Sequence, residues 1–145
     1  MSAIPEFDKN GNLPPGVYKV SLKDIESNFT WTTRRKKLFK GLKRAIDNLT
    51  KANVKKVWID GSFVTSKNDP NDIDGCWQAD KDVDADKLDP VFLDMNPPRE
   101  AMKKKYGVDF LIAGVPIADS PGKSIEEFFQ IDRDGNKKGI LLFVQ

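Results

Sequence analysis

The sequence predicts an α+β (mixed α/β) fold, a small mixed sheet flanked by helices, on three observations. One long segment carries apolar residues at helical spacing, several short apolar runs of strand length follow it, and turn-forming residues separate them. The 145 residues, 39% of them apolar, suit one domain. A domain of that size buries roughly 70% of its unfolded surface and needs no disulfide to fold. No repeat, low-complexity tract or linker divides the chain, so residues 1–145 are read as one unit.

The opening segment, 1–32, is punctuated by Asn10-Gly11 and Pro14-Pro15-Gly16 and reads as an irregular wrap that ends in a short helix. Ser21 with Asp24 has the pattern of an N-cap with an acidic third position, which starts that helix; it ends near Asn28. Thr32 or Thr33 caps a longer helix to about Ala52, where Leu38, Leu42, Ala45, Ile46 and Leu49 make one apolar stripe. Asn53 suits the position just past its end. Residues 54–59 and 72–79 read as strands, and 80–98 as a loop with one helical turn after Pro90. A helix over 99–106 is stopped by Gly107, and a third strand covers 108–113. Residues 124–130 read as a short helix capped by Ser120 or Ser124, and 139–144 as a closing strand after the Asp134-Gly135 turn.

Charge is unevenly distributed. The formal net charge is +2, yet residues 33–56 carry +9 and residues 57–98 carry −7. Either block alone fits a solvated face; together they also fit a site that takes a cation on one side and a polyanion on the other. There is no histidine, which excludes Ser-His-Asp and Cys-His catalysis, His-ligated zinc and a histidine base. A metal would have to be held mainly by carboxylates, which favours magnesium, calcium or manganese. The single cysteine, Cys76, excludes an internal disulfide and suits a reducing compartment. No apolar run is long enough to span a membrane, and the N-terminus lacks the pattern of a secretory signal, so a cytoplasmic location without membrane attachment is expected.

The most informative stretch is VWIDGSFVTSKNDPNDID, residues 57–74. Alternate strand residues share a face, so Asp72 and Asp74 stand side by side with Ile73 in the core. Carboxylates that close repel unless a cation lies between them. Asp109 sits in another apolar strand, where burying a carboxylate is costly unless it is paired or metal-bound. If the two strands are neighbours, three carboxylates converge; such a cluster suits two magnesium ions about 3.5–4 Å apart, which serve in-line phosphoryl transfer. At Gly61 the backbone can approach an anion closely, while the Ser62 hydroxyl and Lys67 supply a donor and a positive charge.

Glycine-serine, a connection of about ten residues, Asp-apolar-Asp and a later strand carboxylate together resemble the nucleotidyltransferase superfamily that includes DNA polymerase β, especially its minimal bacterial members. The flanks IPEFDKNGNLPPG and FFQIDRDGNKKGI resemble an uncharacterised prokaryotic branch of it. The resemblance covers residues 54–113 and implies a nucleotidyltransferase-like fold. It implies magnesium (or manganese) as cofactor and a nucleoside triphosphate as substrate. Gly61 and Ser62 would then contact the triphosphate. Asp72 and Asp74 would serve both metals, and Asp109 the catalytic metal and the attacking hydroxyl. Many minimal members carry an arginine four residues after the glycine; here Thr65 stands there, leaving that task to Lys67. The implied reaction moves a nucleoside monophosphate to a hydroxyl of a nucleic-acid 3′ end or a protein side chain, in a toxin–antitoxin or anti-phage setting. The other reading is a weak or inactive adaptor on the same fold that binds a cognate toxin or effector.

Other features carry less. Asp80 to Asp86 alternates acids like a calcium loop, but Ala85 and Val91 occupy the glycine and glutamate positions such a loop needs. Cys76 and the three tryptophans, Trp31, Trp58 and Trp77, fit packing roles. The ten cations Arg34, Arg35, Lys36, Lys37, Lys40, Lys43, Arg44, Lys51, Lys55 and Lys56 fit a phosphate backbone, an acidic protein or solvent alone.

Overall fold

Local capping sets the helices. The Ser21 hydroxyl accepts from the Asp24 N–H at 3.1 Å, and the Asp24 carboxylate accepts from the Ser21 N–H at 3.0 Å. This reciprocal box starts α1, Leu22–Phe29. Thr32 Oγ1 accepts from the Arg35 N–H at 3.1 Å and starts α2, Thr33–Lys51, which ends at Asn53 in the left-handed region, φ 67°. The predicted stripe from Leu38 to Leu49 is buried. At about 1.5–3 kcal/mol for each large apolar side chain taken from water, it anchors α2 more firmly than intrinsic helix propensity does. Helix α3, Glu100–Tyr106, starts one residue later than predicted, because Arg99 adopts φ 53° and stands outside it. Gly107, at φ 69°, closes it by donating its N–H to the Lys103 carbonyl at 2.7 Å.

The computed structural model describes residues 4–113, 116–117, 120–124, 130–131 and 134–145. Five strands form one mixed sheet: β1 Val17–Val20, β2 Lys56–Asp60, β3 Ile73–Trp77, β4 Val108–Ile112 and, beyond a two-stranded pair, β7 Ile140–Val144. Their order is β1-β7-β2-β3-β4, with β1–β7 and β3–β4 parallel and the two central pairings antiparallel. The separate pair is β5, Pro116–Ile117, and β6, Ser120–Ser124, antiparallel to each other. A 3-10 turn, Pro90–Leu93, follows Asp89 as expected, with the Asp89 carboxylate accepting from the Val91 N–H at 3.2 Å.

Two expectations are corrected. Residues 1–32 are not wholly irregular outside α1, since β1 lies within them at the sheet edge. Val17 there is 46% exposed and the partner strand lies at the other end of the chain, so the segment shows no apolar run. Ser120 and Ser124 are strand residues of β6 rather than helix caps; residues 125–129 of the expected helix lie outside the described residues.

Strand register divides the sheet into two faces. Val57, Ile59, Ile73, Trp77, Val108 and Phe110 share one face and are buried in the core with the apolar stripe of α2. The opposite face carries Trp58 and Cys76 toward one end and acidic side chains toward the other. Among the described residues no helix is long and apolar enough to cross a membrane.

Candidate metal centre

The acidic end of that face is built by register. Asp74 on β3 is paired with Asp109 on β4, and on its other side with Asp60 at the end of β2. Asp72 precedes Asp74 by two residues and lies on the same face. One oxygen from each of Asp72, Asp74 and Asp109 lies within 4.8 Å of the other two, with all three side chains half-buried. The convergence expected of these three residues is therefore present.

The electrostatics follow from crowding. Burial, then the neighbouring charges of Asp72, Asp109 and Asp60, push the Asp74 carboxyl up to about 7, against the opposing pull of Lys138. Burial also raises Asp72, while Lys103, Arg34 and Lys67 favour its ionised form. Asp109 is held by Arg99, whose Nε donates to Oδ1 at 2.5 Å and whose second nitrogen donates to Oδ2 at 3.3 Å; Lys103 Nζ is 3.8 Å away. A left-handed residue just before α3 thus turns its side chain back onto the strand that follows the helix.

Gly61 adjoins the cluster in the left-handed region, φ 77°, where a Cβ would stand 2.8 Å from both Cβ and Cγ of Asp74. Only glycine lets the chain turn there while Asp74 keeps its place. Ser62 follows in a 3-10 turn, Gly61–Val64, and Lys67 is exposed at the far end of the connection. This connection is fixed from below by Arg35. Its guanidinium donates to the carbonyls of Phe29 (3.1 Å), Phe63 (2.6 Å), Ser62 (3.3 Å) and Thr65 (2.7 Å), and doubly to Lys67 (3.0 and 2.7 Å). It also lies 3.7 Å from the Trp31 ring centre. The N-terminal wrap adds a clamp: the Gly11 carbonyl accepts from the Ser66 N–H at 2.8 Å, and Asn12 bridges Thr65.

The structure corrects the basic-helix list in one place. Arg35 is 0% exposed, so it cannot meet a phosphate backbone. Desolvation lowers its pKa to about 10, which still leaves it charged at neutral pH. Its helical position, three residues before Leu38 and seven before Leu42, continues the apolar stripe and puts it on the buried face, though nothing local showed that it serves a loop.

Sequence reasoning missed three contributors. Asp60 is 2% exposed and pushed up to about 6 by burial, with Lys138 Nζ 3.2 Å from its Oδ1 opposing that shift. Its signal was the sole acid at the end of an apolar strand, directly before Gly61. Arg99 had a weaker one, a cation at the start of the helix that leads into the Asp109 strand. Lys138 had none, because it comes from the segment just before β7. The acidic loop after β3 behaves as a solvated loop, with Lys55 paired to Asp82 at 2.5 Å. Cys76 and Trp77 are buried.

The donor set suits a hard divalent cation: three carboxylates, oxygen only, partly withdrawn from water. No curated protein matches the chain. No solved structure matches it either. With a family match running from residue 5 to residue 143, nearly the whole chain, the protein belongs to DUF6932, a family of unknown function.

Proposed function

We propose that the chain is a magnesium-dependent nucleotidyltransferase that moves a nucleoside monophosphate from a nucleoside triphosphate to a hydroxyl acceptor. One observation carries the reading: Asp72, just before β3, Asp74 on β3 and Asp109 on the parallel neighbour β4 meet beside the Gly61 bend. Asp72 and Asp74 would hold the divalent ions, with Asp109 completing the set; manganese could substitute. Bound there, the ions supply positive charge to the phosphates and to the leaving pyrophosphate. Gly61 leaves room for a phosphate at the chain turn, and Ser62 and Lys67 supply a hydroxyl donor and a positive charge. In the transfer the acceptor oxygen bonds to the α-phosphorus, the bond to pyrophosphate breaks, and the acceptor proton passes to a carboxylate of the cluster, Asp109 being best placed once Arg99 has released it.

The test is incubation with each α-labelled triphosphate, magnesium and candidate acceptors. Label should move to an acceptor with the native chain and not with Asp72→Ala plus Asp74→Ala. Transfer that survives the double change removes these residues from the reaction.

A second reading is favoured by the Arg99 pairing, which engages both oxygens of Asp109. An adaptor on this fold would use that ion pair structurally and bind a partner protein. Such a protein would bind neither magnesium nor triphosphate in calorimetry.

A further inference from the structure

We infer that the groove between α2 and α3 is a seat for the phosphate backbone of a single-stranded nucleic acid. The groove has a volume of about 450 Å³. Helix α2 contributes Arg34, Lys37, Lys40 and Arg44, and α3 contributes its three consecutive lysines, 103–105. No acidic side chain lines it among the described residues.

The sequence produces this by spacing. Arg34, Lys37, Lys40 and Arg44 recur every three or four residues and form a cationic stripe beside the apolar one. Gly41 lets α2 approach α3 closely, since a Cβ there would stand 2.8 Å from the Tyr106 carbonyl carbon. The lysines of α3 complement the negative end of its dipole. On α2, Arg34 donates to the carbonyls of Pro70 and Asn71 and Arg44 to that of Lys105, whereas Lys37 and Lys40 have no such local explanation. Asp89 pairs with Lys105 at 2.5 Å, whereas among the described residues no ion pair engages Lys37, Lys40 or Lys104. Cations gathered without counter-charges repel one another, and an anionic chain relieves that repulsion.

The form of the groove selects the partner. It is concave and lies between two helices, which suits a strand laid along it rather than a helix inserted into a duplex groove about 12 Å wide. Tyr106, its aromatic residue, is buried and donates its hydroxyl to Asp89 at 2.7 Å, leaving no ring free to stack on bases. Recognition is therefore of phosphate and is sequence-tolerant. One end of the groove reaches Asn71, next to Asp72, and Lys103, next to Asp109. A strand in it would lead its terminus toward the carboxylates; that last step rests on the transferase reading, whereas the binding itself does not.

The experiment is fluorescence anisotropy of labelled dT12 and rU12 in EDTA, where no transfer can occur. Saturable binding is expected to weaken with salt along a slope of about −0.7 per phosphate contacted, hence by roughly 50- to 130-fold between 50 and 200 mM for four or five contacts. Lys37→Glu plus Lys40→Glu should weaken it at least about 10-fold, and Lys104→Glu about 3-fold or more. The control, Lys36→Glu plus Lys43→Glu, makes the same charge change off the groove and should cost less than about 3-fold. Circular dichroism confirms that each variant is folded. Absence of saturable binding, equal losses in the groove and control pairs, or equal competition by poly-glutamate overturns the inference; the last marks an acidic-protein surface. Binding retained with no transfer in magnesium faults the transferase reading alone.

Discussion

Asp74 and Asp109 are register partners on two parallel strands, so their carboxylates are held on the same sheet face by backbone hydrogen bonding rather than by any attraction between them. Two like charges fixed in this way cost stability unless something neutralises them. In this chain Arg99 neutralises one, and the other is held near the protonated state, with its pKa at about 7.

The first consequence concerns pH. Asp60 and Asp74 titrate at about 6 and about 7 when folded, against 3.8 for the ordinary side chain. Between those limits the folded state binds more protons than the unfolded state, so metal-free stability falls as pH rises from about 4 through about 7. The Tm of the metal-free chain should be higher at pH 5 than at pH 8. Asp74→Asn should flatten that dependence and stabilise the metal-free protein at pH 8 by about 1–3 kcal/mol. A Tm that rises toward pH 8 in EDTA contradicts this.

Gly61→Ala tests the bend. The left-handed backbone costs an L-residue about 1–2 kcal/mol, and the new methyl group collides with Asp74. We expect a lower urea midpoint together with weaker divalent-ion binding. Loss of stability with ion binding intact would mean that the bend and the carboxylates are independent.

Arg35→Lys removes a planar fork that serves five carbonyls from Phe29 to Lys67. An ammonium has three donors and cannot match that geometry. A loss of roughly 2–4 kcal/mol in denaturant titration, with faster proteolysis within residues 61–69, is the expected result. A change under about 0.5 kcal/mol would show that the connection holds its shape without the guanidinium.

Arg99→Gln tests the counter-ion role. Freed from a bidentate partner, Asp109 becomes available to a cation, and affinity for divalent ions should rise about 10-fold, equivalent to roughly 1.4 kcal/mol. Unchanged or weaker affinity would make the ion pair a structural strut, as the adaptor reading holds.

The parts legible in the sequence were those encoded locally. Ser21, Thr32, Asn53 and Gly107 marked helix ends because caps act within a turn, and the stripe from Leu38 to Leu49 fixed the buried face of α2. Asp72, Asp74 and Asp109 could be singled out because a carboxylate in an apolar strand is conspicuous. The parts that stayed hidden depend on partners distant in sequence. β1 exists through its pairing with β7, Arg35 serves a loop some thirty residues on, and Lys138 reaches Asp60 from the far end of the chain. The groove needed two separate basic segments to be brought face to face, and no spacing rule predicts that.

Manganese titration followed by electron paramagnetic resonance addresses the carboxylate cluster most directly, because free Mn2+ gives a signal that disappears on binding. The native chain should take up one or two ions saturably at pH 8, and Asp74→Asn and Asp109→Asn should each reduce that uptake sharply. Uptake that is absent, or unchanged in both variants, would contradict a metal centre at this end of the sheet.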